Sequence, residues 1–478
     1  METTITKLNR ANANTQNLPI KIVQFGEGNF LRAFVDWFID QLNEKADYNA
    51  GVAIVQPLEF GMVDMLAKQD SLYHHLLQGL ENGKTVDDAR LISCVQKAIN
   101  PFQNLGDYYA LAEEPTLKIV FSNTTEAGIV FDENDQPEGK ALATTFPGKL
   151  TQLLKHRFDH FSGSDDAAVG IIPCELIESN GDKLKKCIEQ YIQLWDLGSD
   201  FASWVAENIH FANTLVDRIV PGYPKDEINE IKERIGYDDN LVVKSESFHL
   251  FVIEGDEFIQ EHFPAHKHGF NVKYVKSITP YRTQKVRILN GAHTSMVPVG
   301  LLSGIETVKE TVDGDVSGKF VNEAVFNEIV ETISIPGEDP KDFAKQVIAR
   351  FQNPFIRHEL ISISLNSISK YKVRVLPTVL DYLDKKGSLP DKLVFSLACL
   401  IELYLSDKFT LKDTQEYLDF FVELKSSGAN KKTIASKVLA NTAFWDQDLT
   451  QVTGLTQKVT DYLEAIEESG VVEVSSKL

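Results

Sequence analysis

Cysteine is scarce: Cys94, Cys174, Cys187 and Cys399 are the only four in 478 residues, and no two stand in a C-x-x-C spacing. So scattered a set argues against a disulfide framework and a structural zinc site, and it fits a reducing compartment. Long apolar runs are missing as well. The most apolar stretch, Val394 to Leu405, is too short to span a bilayer and contains Glu402. The first twenty residues are polar and lack the apolar core of a signal peptide, so a soluble, cytoplasmic protein is expected. Basic charge is in deficit, with 48 Lys and Arg against 69 Asp and Glu, a formal net charge of -21. Such a surface repels phosphate backbones and anionic lipid, which disfavours nucleic acid and membrane as partners. It also repels small acids at long range, so any site for an acid must carry its own local positive charge.

Several reactive patterns are absent too. There is no G-x-S-x-G elbow for hydrolase chemistry and no G-x-x-x-x-G-K-[ST] phosphate loop. His262, His266 and His268 lack cysteine partners and lie in a Pro- and Gly-containing stretch, which reads as a surface loop rather than a metal site. His74 and His75 sit in an apolar run and read as structural.

What is present begins with an apolar run, Lys21 to Phe25, then Gly26-Glu27-Gly28, then an amphipathic segment from Asn29 to about Asn43, then a second apolar run, Gly51 to Val55. Strand, glycine turn, helix and strand in this order form a βαβ unit of a parallel sheet. Further strand-like runs, Leu117 to Ser122 and Ala168 to Pro173, have helical patterns beside them at Pro147 to Phe161 and Asn180 to Leu194. This alternation predicts an α/β fold with an N-terminal doubly wound sheet of Rossmann type. From about Tyr281 helical periodicity dominates, which predicts a mostly α-helical C-terminal domain. The expected division is residues 1–270 and 271–478, with the boundary near 265–280.

The glycine turn carries the first chemical signal. Backbone N–H groups at a helix N-terminus bind a pyrophosphate, and glycines keep side chains out of its way. The third glycine of a complete G-x-G-x-x-G fingerprint would fall at Leu31, so the motif is partial and its context supplies most of the weight. The second strand ends Val55-Gln56-Pro57 with Glu59 just beyond and no arginine close by, a lean to NAD over NADP. The second signal is Lys285, Asn290 and His293, a K-x4-N-x2-H spacing. On an α-helix these three side chains fall within an arc of roughly 140° and face one site. A lysine amine can donate a proton to a new alkoxide, an asparagine N–H can stabilise the oxyanion, and a histidine can orient a substrate. A solvated amphipathic helix is the competing reading.

Gly26-Glu27-Gly28-Asn29-Phe30-Leu31-Arg32-Ala33 resembles the G-x-G-x-F-x-R-A opening of the polyol-specific long-chain dehydrogenases, the mannitol dehydrogenase family. Lys285, Asn290 and His293 fall on that family's K-x4-N-x2-H signature, and Val216-Asp217-Arg218-Ile219 is similar to its V-D-R-I element. The runs Phe121 to Ile129, Ile172 to Ile177 and Trp445 to Leu449 resemble the branch of the family that acts on sugar acids. The resemblance implies hydride exchange between NAD(H) and a small sugar-acid substrate, the D-altronate/D-tagaturonate pair of hexuronate breakdown, without zinc. Reduction of fructuronate, oxidation of a neutral polyol such as mannitol, and a non-catalytic NAD(H) sensor stay open as alternatives.

The same resemblance implies residue roles. Ile22, Val23, Gln24, Phe25, Gly26, Glu27, Gly28, Asn29, Phe30, Leu31, Arg32 and Ala33 would wrap the pyrophosphate, with Asn123 completing the cofactor set. Lys285 would be the acid/base, Asn290 an oxyanion donor, and His293 would stand beside the substrate. The family's second oxyanion asparagine follows the acidic residue of a C-[DE]-N run, whereas this chain has Cys174-Glu175-Leu176, so Asn180 is the nearest substitute. Asp217 would hold the Lys285 ammonium. For the substrate carboxylate, Lys370 and Arg374 in the run SKYKVR are the candidates, since a carboxylate calls for a lysine or a forked guanidinium.

Overall fold

Strands form where Val, Ile and Phe are buried on both faces, as in parallel sheets covered by helices. Six such strands are β1 (Ile20–Phe25), β2 (Gly51–Val55), β3 (Val95–Ile99), β4 (Ile119–Ser122), β5 (Val169–Pro173) and β6 (Ile209–Phe211). They lie in the order β3-β2-β1-β4-β5-β6, and every neighbouring pair is parallel. This is the doubly wound nucleotide-binding order, and it reverses direction between β1 and β4. The computed structural model describes residues 5–13, 15–81, 83–139 and 141–478; Met1–Thr4 and Asn14 of the polar leader fall outside the described residues. The chain divides into two compact units, Met1–Ile278 and Thr279–Leu478.

Alternation along β1 shows how the first unit is layered. Ile22 packs in one core with Phe34 and Phe38 of helix α1 (Asn29–Ala46). Val23 and Phe25 point the other way, into a core with Leu150 and Leu153 of α2 (Phe146–His160) and Leu184 and Ile188 of α3 (Asn180–Leu194). Two strands of the sheet lie outside the apolar runs read from the sequence. β3 buries only the two ends of Val-Gln-Lys-Ala-Ile, and β6 has three residues, so neither makes a continuous apolar run. The unit adds a long antiparallel hairpin, Tyr73–Glu81 with Lys84–Ile92, to which Val243–Ser245 pairs in parallel. His74 and His75 anchor it: His74 Nδ1 lies 3.0 Å from Asp239, and His75 Nε2 lies 2.6 Å from the Ser245 hydroxyl. A further small sheet joins Asn213–Asp217, Leu250–Glu254 and Val272–Tyr274.

The second unit is helical. Its centre is the helix Asp391–Leu405, buried nearly all round as an apolar core helix should be. It packs against Gly291–Leu302 and Leu455–Ser469. Among the described residues no helix is long and apolar enough to cross a membrane. Residues 279–302 run as one helix with a change of pitch: α-helical Thr279–Gln284, a π-helical turn Lys285–Asn290, then α-helical Gly291–Leu302.

Candidate functional site

In the first unit the carboxyl ends of β1 and β4 meet at the point where the strand order reverses. Gly26 follows β1 at φ 120°, a conformation open to glycine and strained for other residues. A Cβ there would stand 2.9 Å from the Asn123 carbonyl, so a side chain would push β4 away from the turn. The Asn123 N–H donates to the Phe25 carbonyl at 3.0 Å, so the two strand ends are tied together. Gly28 caps helix α1, the first turn contains no acid, and no side chain caps its N–H groups. A Cβ on Gly28 would meet nothing within 4 Å, so open space lies in front of that helix end. Unclaimed N–H groups, the positive end of a helix dipole and clear space fit a diphosphate.

The stretch from Ile22 to Ala33 divides by role. The side chains of Ile22, Val23, Gln24, Phe25, Leu31 and Ala33 are buried inside the unit, so they shape the turn without reaching a ligand. Glu27, Gly28, Asn29 and Phe30 remain at least partly exposed. Arg32 is a brace. Its guanidinium donates to the Glu27 and Leu241 carbonyls and the Asn29 side chain at 3.0, 2.6 and 2.8 Å, and it lies over the Tyr73 ring. One turn further into the core, Asp36 accepts from the Tyr73 hydroxyl at 2.7 Å, and burial pushes its carboxyl up to about 7.

Asn180 is a correction. Its amide donates to the Pro173 and Glu175 carbonyls at 3.1 Å each and to the Thr214 hydroxyl at 2.9 Å. Its carbonyl accepts from the Gly181 and Thr214 N–H groups, both at 2.9 Å. Fully buried and fully engaged, it has no N–H left for an oxyanion, and its work is to stitch β5 to the strand Asn213–Asp217. Asp217 ends that strand and is buried.

In the second unit Lys285 and Asn290 are the first and last residues of the π-helical turn. The Gly291 N–H reaches back to the Val286 carbonyl, five residues earlier, so the turn is wider than the α-helical spacing assumed from sequence. Both side chains are half-buried. His293 is buried one turn on, its ring stacked on Phe351 at 4.3 Å and edge-on to His358 at 5.0 Å. Burial holds His358 below the usual histidine range. The helix Ser367–Arg374 approaches this turn closely: a Cβ on Gly291 would lie 3.1 Å from the Arg374 carbonyl. Lys370 and Arg374 thus share a neighbourhood with Asn290. Lys370 donates to the Ile363 carbonyl at 2.8 Å, and burial and then the Arg374 charge lower its pKa. The Arg374 guanidinium is half-buried, burial lowers its pKa, and among the described residues no carboxylate pairs with it.

Two sequence profiles cover nearly the whole chain: the mannitol dehydrogenase Rossmann domain matches residues 20–267, and the mannitol dehydrogenase C-terminal domain matches residues 277–467. The chain belongs to the mannitol dehydrogenase family. Among curated members, it is 46% identical over 472 residues to the altronate oxidoreductase of Phocaeicola vulgatus, covering 98% of each chain. It is 45% identical over 454 residues to that of Bacillus subtilis, covering 95% of this chain and 94% of the other. Two solved structures share the fold. D-sorbitol dehydrogenase in substrate-free form matches with a TM-score of 0.81 at 23% identity, covering 98% and 99% of the two chains. Pseudomonas fluorescens mannitol 2-dehydrogenase, in complex with NAD and D-mannitol, matches with a TM-score of 0.67 at 20% identity, covering 99% of each. A Rossmann-type first domain and a helical second domain are therefore the family architecture, as expected from the alternating pattern and the change of texture after Tyr281.

Among the described residues no group of three or more His, Cys, Asp or Glu is placed to hold a metal ion. His262 packs on Phe258 and His266 on Tyr274. Glu175, which the sequence marks only as the acid of the Cys174-Glu175-Leu176 run and gives no role, is buried at the strand ends, where its charge closes the apolar run Ile-Ile-Pro-Cys.

Proposed function

We propose that this chain interconverts D-altronate and D-tagaturonate with NAD(H), the first unit holding the nucleotide and the second supplying the proton chemistry. The observation that carries the reading is full-length likeness to altronate oxidoreductases in a chain that keeps the Lys285, Asn290, His293 spacing. A bound nicotinamide supplies or accepts the hydride. The N–H groups at the start of α1, where Gly26 and Gly28 leave room, would hold the diphosphate. NAD is favoured over NADP because exposed Glu59 follows β2 and no arginine occurs between Val55 and Arg90.

Lys285 contacts the ketone oxygen and hands it a proton as the alcohol forms, and takes it back in oxidation. Such transfer contributes on the order of 100- to 10,000-fold in rate. Asn290 directs an N–H at the same oxygen while negative charge builds there. His293, fixed by Phe351 and His358, hydrogen-bonds a neighbouring hydroxyl. The half-buried Arg374, with Lys370 beside it, meets the substrate carboxylate, which provides the local positive charge that a chain of net charge -21 must have for an acid.

The test is NADH oxidation followed with tagaturonate, fructuronate and fructose. Tagaturonate is expected to lead in kcat/KM by on the order of 100-fold, since buried polar groups left unpaired by the wrong substrate are costly. A preference for fructuronate or fructose would reassign the substrate, and NADH binding without turnover of any of the three would favour a sensor.

A further inference from the structure

β4 and β5 end side by side at the nicotinamide half of the sheet, beyond the point where strand order reverses. The loop that leaves β4, Asn123 to Gly128, is held in an unusual way. Thr125 sits at φ 78°, a left-handed conformation that is rare for a β-branched residue. Residues that store strain of this kind persist only where their surroundings impose it, and they gather at ligand sites. The loop also folds tightly on itself, because a Cβ on Gly128 would fall 2.0 Å from the Thr124 hydroxyl. Its tip, Thr125 to Ala127, is exposed.

What imposes the shape is Glu175, the second residue after β5 and almost wholly buried. One carboxylate oxygen accepts from the Thr124 N–H at 2.9 Å and the Thr124 hydroxyl at 3.0 Å; the other accepts from the Ser122 hydroxyl at 3.0 Å. Asn180 fixes the backbone of Glu175 from behind through its carbonyl. On the other side of the clamp stands Asn123, whose carbonyl faces Gly26. A neutral amide in place of the carboxylate keeps an acceptor for the Thr124 N–H and hydroxyl but turns a donor toward the Ser122 hydroxyl, which must reverse its own hydrogen bond to accept it. Burial raises the carboxyl pKa against the opposing pull of these donors.

We infer that Glu175 is a positioning residue for the cofactor: through Ser122 and Thr124 it holds the strained Asn123–Thr125 turn in the shape that receives the nicotinamide half of the dinucleotide. The inference rests on the reading of this chain as an NAD(H) enzyme. Glu175 touches the loop and acts through it.

The experiment titrates the full-length protein with NADH by nicotinamide fluorescence and records each thermal midpoint. Glu175→Gln and Thr124→Val are expected to raise the NADH Kd about tenfold, the size of one or two lost hydrogen bonds. Thr124→Ser, which keeps the hydroxyl, is expected to bind as the unsubstituted chain does. The KM for tagaturonate at saturating NADH should stay within about twofold, because the loop is assigned to the cofactor and not to the sugar acid. Thr125→Gly adopts the left-handed φ without strain, so it should bind NADH at least as well as the unsubstituted chain and should recover part of the affinity lost in Thr124→Val. If Glu175→Gln fails to fold, Thr124→Val against Thr124→Ser and Thr125→Gly decide the question. Variants that melt earlier yet bind NADH with unchanged Kd overturn the inference and leave the functional reading standing. Failure of the unsubstituted chain to bind NADH overturns both.

Discussion

The two units present different kinds of site. In the first, the surface proposed to meet the ligand is mostly backbone: the N–H groups of α1 and two glycines that leave them uncovered. In the second, the proposed site consists of side chains, namely Lys285, Asn290, His293, Lys370 and Arg374 on two helices. A backbone site survives most single substitutions, because every residue carries the same N–H. A side-chain site fails with one.

Lys285→Ala is therefore expected to have the largest effect, lowering kcat by on the order of 1,000-fold. NADH affinity should hold, and a comparable loss of NADH binding would mean that the two sites are not separable in this way. Next comes the pair of asparagines. Asn290→Ala should reduce kcat by about 100-fold with an unchanged thermal midpoint. Asn180→Ala should do the reverse, costing about 3 kcal/mol of stability by stranding buried backbone groups. Denaturant unfolding and single-turnover rates on the two variants would expose a mistaken assignment if the pattern were exchanged.

Each unit also contains one buried carboxyl pushed up to about 7, Asp36 in the first and Glu328 in the second. Glu328 accepts from the N–H groups of Lys392 and Leu393 at 2.9 Å each, at the start of the core helix. Its folded form keeps a proton that the unfolded chain releases near 4.5. The stability this contributes is present below that pH and is lost as pH rises to about 7. The loss is about 3 kcal/mol for this group at 1.36 kcal/mol per unit. Glu328→Gln should flatten this slope in chemical denaturation between these pH values; an unaltered slope would show that burial there does not set the titration. The smallest expected effect is specific to substrate. Arg374→Ala should raise KM for tagaturonate roughly 10-fold or more, and leave KM for fructose nearly unchanged. Equal changes for both would remove Arg374 from the carboxylate.

Much of this was legible from sequence where a local pattern and its structural cause coincide. Helix α3 occupies Asn180–Leu194, the span its periodicity predicts, because one face is apolar throughout. The turn at Gly26 was legible because glycine is the residue that tolerates its φ. Other features depend on tertiary contact. Asn180 lies close in sequence to the strand end, yet its spacing does not say whether the amide faces a ligand or Thr214. Thr125 normally favours extended backbone, so nothing local announces its left-handed φ. The π-helical turn is of the same kind, since 3.6-residue periodicity is the default assumption for any apolar pattern of this length.

That turn has a consequence for how far the chain tolerates insertions and deletions. It amounts to one residue of slack built into the helix 279–302. Deleting a single position between Lys285 and Asn290 would relax it to ordinary α pitch and lengthen nothing. Lys285 and Asn290 would then stand four residues apart, about 40° from each other round the helix, so the flanking segments would keep their phase. The same deletion within α-helical Gly291–Leu302 would rotate everything before it by about 100° against the buried core. The spacing of the two polar groups is thus a phase relation between two stretches of one rod, set by counting residues rather than by choosing them.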